Sequence, residues 1–218
     1  MKIPVIGFGA GSHAKVILEI LLEGKQYKPI GFLDSDPNLH GTSIQNIPVL
    51  GGDDLAASLK EKGIYHFFIG VGGAEDPTIR IRLFLSAQNL ELSPIQVRHP
   101  SCIISKSASI EDGAVIMAGV VVNACAQIGS NVILNTNSTI EHDCIIGHHV
   151  HIAPGAILSG GVCVGDRSHI GANASIRQNI HIGNNVIIGI GAVVVNDVPD
   201  NRVVVGNPAK TIKNRSKK

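Results

Sequence analysis

Tryptophan is absent from this sequence, and all aromatic residues together make up only 3% of it. A core must therefore be assembled from Val, Ile, Leu and Ala, which suits a narrow, repetitive interior better than an irregular globule. Cysteine is scarce as well. Cys102, Cys125, Cys144 and Cys163 show neither CxxC nor zinc-finger spacing, and they read as free thiols of a cytoplasmic protein. No apolar run approaches the ~18 residues of a membrane span. The opening MKIPVIGFGAG leads into a strand and a glycine turn, without the small-residue cleavage site of a signal peptide. A formal net charge of +1 gives no global attraction to nucleic acid or to an anionic membrane. What remains is a chain of 218 residues, 44% hydrophobic, with room for one large domain or two small ones.

Two grammars divide it. Residues 1–98 alternate strand-like and helix-like segments. Lys2–Ile6 reads as a buried strand, Gly7, Gly9 and Gly11 as a turn, and His13–Glu23 as a helix with Ala14, Ile17, Leu18 and Leu21 on one face. Ile30–Leu33 and His66–Val71 read as further strands, Asp53–Lys62 and Pro77–Ala87 as helices, and Ile95–Arg98 as a fourth strand. Such alternation predicts a small parallel α/β sheet of Rossmann-like type.

Residues 99–218 follow another rule. From Ile104, every sixth residue through Val194 is Ile, Leu or Val, sixteen times without exception. The position two earlier is small or aliphatic (Ala108, Ala114, Ala126, Ser138, Ala156, Ala174, Ala192), and the position after is often Gly or acidic. A fixed period of this kind is the signature of a solenoid. The pattern resembles the hexapeptide-repeat family, which implies a left-handed parallel β-helix with three hexads per triangular coil. Sixteen hexads make about five coils, stacked at the ~4.8 Å spacing of paired strands, and no repeat buries its apolar face alone.

Hexapeptide repeats do not specify a chemistry. Three further segments narrow it: GFGAGSHAKVI at the start, FLDSDP after the second strand, and NTNSTIEHDCIIGHHVHIAPGA within the coils, followed by GNPAK at Gly206–Lys210. Together these resemble bacterial sugar acetyltransferases of the PglD/NeuD type, whose members acetylate UDP-4-amino-sugars on nitrogen or sialic acid on oxygen. The resemblance implies acetyl-CoA as co-substrate and a nucleotide-linked sugar, such as a UDP-sugar, as acceptor, in a homotrimer serving cell-surface polysaccharide biosynthesis. It implies that His142 is the general base and that Asp143 raises its basicity. It places His151, Gly160, Ala172 and Gly189 near acetyl-CoA, and Gly11, Ser12, His13, Asp34, Ser35 and Gly72 around the acceptor.

Physical chemistry is consistent with these roles. A base working near neutral pH is most simply an imidazole, and His142 falls two residues after Ile140, where side chains point out of the coil. The glycine turn joins a strand to a helix N-terminus, where a phosphate is favoured, and glycine at position 9 is expected to let backbone approach that phosphate. Under 100 residues is too short for both halves of an NAD-binding fold. Six of the ten histidines lie between His142 and His181. His151 and His169, one coil apart, are expected to stack, while His148, His149 and His181 read as solvated. A zinc site like that of γ-class carbonic anhydrases is the rival enzyme reading, although no metal is expected here. An inert scaffold is the third. Cys125 and Cys144 read as structural thiols. The basic end, Lys210, Lys213, Arg215, Lys217 and Lys218, reads as a solvated tail.

Overall fold

A computed structural model of the chain describes residues 2–73 and 76–215, so Lys217 and Lys218 lie outside the described residues. The chain divides into two compact units, Met1–Val97 and Arg98–Lys218.

The first unit contains the sheet order β3-β4-β2-β1-β5-β6. Its strands are β1 (Ile3–Phe8), β2 (Tyr27–Leu33), β3 (Ser43–Ile44), β4 (Ile47–Gly51), β5 (His66–Ile69) and β6 (Ser93–Pro94). β4, β2, β1, β5 and β6 run parallel. The helices are α1 (Ser12–Glu23), α2 (Ala56–Glu61, entered by a 3-10 turn at Asp53–Leu55) and α3 (Thr78–Asn89). Ile6, Phe8, Leu33, Phe67, Ile69, Leu83 and Phe84 form one core. Its rings meet edge to face, Phe8 on Phe67 at 5.7 Å and Phe67 on Phe84 at 5.8 Å between centroids, the arrangement that the ring quadrupole favours. Gly7 sits mid-strand because a Cβ there would come within 2.6 Å of both Phe32 and Phe68. The antiparallel β3–β4 hairpin has no counterpart in the sequence reading. Its two-residue turn, Gln45-Asn46, holds both residues at positive φ (45° and 68°), the requirement of a type I′ turn. The fourth strand expected at Ile95–Arg98 is replaced by the two short strands Ser93–Pro94 and Val97–Arg98.

In the second unit, sixteen two-residue strands run from Ile103–Ile104 to Val193–Val194. Through Ser175–Ile176, each pairs in parallel with the strand three hexads on, as Val121 does with Ile103 below and Thr139 above. Successive strands fall on three different sheets, so every coil has three faces and three corners. The second residue of each strand is the sixth-position aliphatic. From Ile116 to Val194 none of these is more than 3% exposed, while Ile104 and Ile110 at the first coil are half-buried. The position two before each aliphatic points inward too, as Ala114, Val120, Ala126 and Val132 do. At every corner from Gly113 to Gly191 the third residue after the aliphatic has positive φ, and Gly or Asn fills most of these places. The stack ends with Arg202–Val205, parallel to Ile187–Ile188, and an antiparallel strand Lys210–Asn214. Of the residues expected to form a solvated tail, Lys210 and Lys213 are exposed but paired in this strand, and Arg215 is half-buried, its N donating to the Asn201 carbonyl at 2.9 Å. No helix among the described residues is long and apolar enough to cross a membrane.

Candidate active site

The corner after Thr139–Ile140 carries Glu141-His142-Asp143. Consecutive side chains on a strand point to opposite faces, so two neighbours meet only where the backbone turns sharply. Asp143 occupies the left-handed position of its corner, with φ 60°, a conformation that Asp tolerates better than most residues. The turn brings its Oδ2 to 2.8 Å from His142 Nδ1. Nδ1–H donates to the carboxylate, leaving Nε2 as the acceptor for an incoming proton. The hydrogen bond to Asp143 raises the pKa of His142 above its ordinary value; partial desolvation works against this, and the nearby charges of Asp143 and Glu141 add to it. Both side chains are nearly two-thirds exposed, at 63% and 64%, so a reactant reaches them from solvent. Gly160, three hexads on, lies against the His142 ring one coil above.

The other residues expected near acetyl-CoA stand elsewhere on the coil. His151 belongs to the strand His151–Ile152, which pairs with His169–Ile170. Ala172 and Gly189 follow strands of that same sheet. His142, Asp143 and Gly160 thus share one corner, while His151, Ala172 and Gly189 belong to a different face and its corner. His151 and His169 do stack, T-shaped, with centroids 5.0 Å apart, and Asn135 Nδ2 donates to His151 Nε2 at 3.2 Å. His148 and His181 are exposed, but His149 is half-buried and its Nδ1 lies 3.0 Å from Asn131 Nδ2, so it is not simply solvated. Among the described residues no three His, Cys, Asp or Glu side chains are grouped to hold a metal ion. Cys144 is buried, its thiol donates to the Ser159 carbonyl at 3.3 Å, and burial pushes its pKa up to about 11, which disfavours the nucleophilic thiolate. Cys125 is exposed and sits at φ 61°.

The first unit gathers the remaining candidates at the carboxyl ends of β1, β2 and β5, where the strand order turns from one direction to the other and open α/β sheets bind ligands. Gly11 caps α1, and no side chain caps that helix start, leaving its first amides for an anion. His13 lies in the first turn of α1. Its Nε2 is buried and has no hydrogen-bond partner among the described residues. Burial first, and the Arg80 charge second, lower its pKa to about 4, so the imidazole is neutral at physiological pH. Arg80 is itself buried and donates to the Ile69 and Val71 carbonyls at 3.1 and 2.8 Å. Gly72 lies beside His13, since a Cβ there would be 3.6 Å from the ring. Ser12 and Ser35 are exposed.

Two of the expected residues also have structural roles. Asp34 accepts two backbone hydrogen bonds, Oδ2 from Ala10 N at 2.7 Å and Oδ1 from Asp36 N at 2.9 Å. It ties the glycine turn to the end of β2. Gly9 has a φ of +92°, and a Cβ there would come within 2.5 Å of Val71, so the fold alone already requires glycine at this position. Gly11 is the one whose Cβ position opens onto free space. Arg80 was missed altogether, because nothing in its helical surroundings marks it as buried.

The family model for the PglD N-terminal domain matches residues 4–86, and that for the bacterial transferase hexapeptide (six repeats) matches 107–142, 125–160 and 143–178. A histidine-to-asparagine variant of perosamine N-acetyltransferase from Caulobacter crescentus, solved with CoA and GDP-perosamine, is 33% identical over 97% of each chain, with a TM-score of 0.91. The acetyltransferase domain of PglB from Neisseria gonorrhoeae, solved with acetyl coenzyme A, is 36% identical over 97% of this chain and all of its own, with a TM-score of 0.88. WeeI from Acinetobacter baumannii aligns over 97% of this chain and 100% of its own at 25% identity, with a TM-score of 0.80.

Proposed function

The chain belongs to the PglD-type family of hexapeptide-repeat sugar acetyltransferases, and from that premise we propose that it moves acetyl from acetyl-CoA to the amino group of a nucleotide-linked amino sugar. The observation that carries the chemistry is the His142–Asp143 pair. The acceptor amine attacks the thioester carbonyl, its proton passes to His142 Nε2, and the C–S bond breaks to release CoA, whose sulfur takes up the proton. Asp143 orients the ring and favours its protonated form. No acyl-enzyme is involved, since Cys144 is buried with a raised pKa.

The acceptor is read onto the first unit. The uncapped start of α1 suits a diphosphate, and neutral His13 suits a hydrogen bond rather than an ion pair with the nucleotide sugar. A relative solved with GDP-perosamine adds guanosine to the uridine and thymidine nucleotides worth testing. Acetyl-CoA is read along the coils. His142 and Gly160 stand on one corner, and His151, Ala172 and Gly189 on another face. One CoA meets both sets where two copies of the coil lie side by side, which supports a cyclic trimer with sites between subunits.

Steady-state kinetics on His142→Ala test the reading. A general base contributes ~10²–10⁴-fold, so kcat should fall by that factor while acetyl-CoA binding and assembly persist. Normal turnover in this variant would remove His142 from the mechanism. Efficient acetylation of free sialic acid, with no inhibition by UDP, dTDP or GDP, would move the acceptor to the sugar hydroxyl.

A further inference from the structure

Resting on the reading of His142 as the base, we propose that Gly160 is a positioning residue: its missing side chain is the seat on which the His142 imidazole lies. An ideal Cβ on Gly160 would fall 2.6 Å from both Cε1 and Nε2 of His142, and 3.2 Å from Cδ2. Contacts under 3.0 Å are not tolerated, so an added methyl group must displace the ring. The ring is also held at Nδ1 by Asp143, 2.8 Å away. Displacement therefore breaks that bond or carries Nε2 away from its position.

Backbone conformation does not demand this glycine. Gly161 beside it has φ +71°, but Gly160 lies outside the left-handed region, and its backbone accepts any residue. Nor does coil stacking demand it. At Gly129, Gly147, Gly165, Gly171 and Gly183, a Cβ would come within 2.9 Å of backbone atoms of the next coil. Those glycines let the coils approach one another. At Gly160 all three nearest atoms belong to the His142 ring. Within the fold, the space that its Cβ would need is taken by the base.

The test is Gly160→Ala. A misplacement of about 1 Å costs on the order of 10²-fold in rate, so kcat should fall about that far, well beyond any change in KM for acetyl-CoA. Because the ring leaves Asp143, the pKa of His142, read by NMR titration, should drop. The acid limb of the kcat/KM profile should move to lower pH with it. In an Asp143→Ala background, where the ring is already untethered, the same change should cost much less. If Gly160→Ala lowers Tm or fails to fold, the defect should vanish on adding His142→Ala, which empties the space that the Cβ needs. The proposal is overturned by unchanged turnover and an unchanged His142 titration. It is overturned equally if the whole loss lies in KM for acetyl-CoA with kcat unchanged, or by a folding defect that persists without the imidazole. Failure of the underlying reading looks different: there His142→Ala itself turns over normally.

Discussion

The two units reach a dry interior by opposite means. All seven aromatic residues, Phe8, Tyr27, Phe32, Tyr65, Phe67, Phe68 and Phe84, lie in the first unit, and the coils contain none. An irregular sheet-and-helix core has spaces of many shapes, and large rings packed edge to face fill them. A coil has the same narrow cross-section at every level, so medium aliphatic side chains fill it and a ring has no room. The difference extends to the candidate sites. In the first unit the chemistry lies where strands end, and buried groups such as His13 and Arg80 support it. On the coil it lies at an exposed corner, shaped by one left-handed residue and one missing side chain.

Acid sensitivity should break this contrast most visibly. His13 is held neutral in the fold with a pKa near 4, against about 6.5 when unfolded. The unfolded chain binds the extra proton between those values, so stability from this group is fully present above pH 6.5 and is lost as pH falls toward 4. At ~1.4 kcal/mol per pKa unit the loss is at most about 3.5 kcal/mol. Urea unfolding of His13→Gln across pH 4–7 should show a shallower acid decline than the parent chain; equal slopes would refute the assignment. His142 shifts the other way and is exposed, so under the proposed role its protonation is to be read in the rate profile rather than in stability.

Next in size is the division of labour. Gly11→Val should raise KM for the nucleotide sugar ~10-fold or more, since a side chain there occupies open space at the uncapped helix start. KM for acetyl-CoA should stay level. If both constants rise together, the two substrates do not sort onto the two units as proposed. The smallest effect should come from inside the coil. Ser138 is fully buried and its hydroxyl has no hydrogen-bond partner among the described residues. An unsatisfied buried polar group costs ~1–3 kcal/mol, so Ser138→Ala, which restores the small apolar type used at Ala156 and Ala174, should raise stability by up to about 1 kcal/mol in thermal unfolding. A drop in Tm would mean that the hydroxyl has a role in the coil.

The coil was legible in the sequence because each residue's environment there repeats every six positions and depends on its immediate neighbours. The burial of Ile116–Val194, the outward histidine at 142 and the stacking of His151 on His169 all follow from counting. Even the contact of Gly160 with His142 was within reach, since 142 and 160 differ by one coil, but counting does not say which of two stacked residues leaves space for the other. The first unit was harder. The β3–β4 hairpin turns at Gln45-Asn46 rather than Asn-Gly, and Pro48 interrupts its second strand. That Asp34 also accepts from the distant Ala10 N is not visible in its own segment. The pKa of His13 depends on burial and on Arg80, which approaches from another helix.

The corners that follow Gln127–Ile128, Ile145–Ile146, Cys163–Val164 and His181–Ile182, stacked on one face of the coil, are sealed from above. His148 Nδ1 accepts from Ser130 N, Asp166 from His148 N, Asn184 from Asp166 N and Asp200 from Asn184 N, at 2.7–3.1 Å, each from the next coil up. This ladder limits how the gene can change length. Inserting or deleting three hexads together keeps every capping side chain above its amide, and adds or removes one rung. Inserting or deleting a single hexad keeps the apolar rhythm but rotates everything above the change by one face, which sets each cap over the wrong corner and carries a corner residue such as His142 to a different edge. A drifting lineage of this fold therefore tolerates whole coils as silent units of insertion, while a lone hexad rewrites the surface.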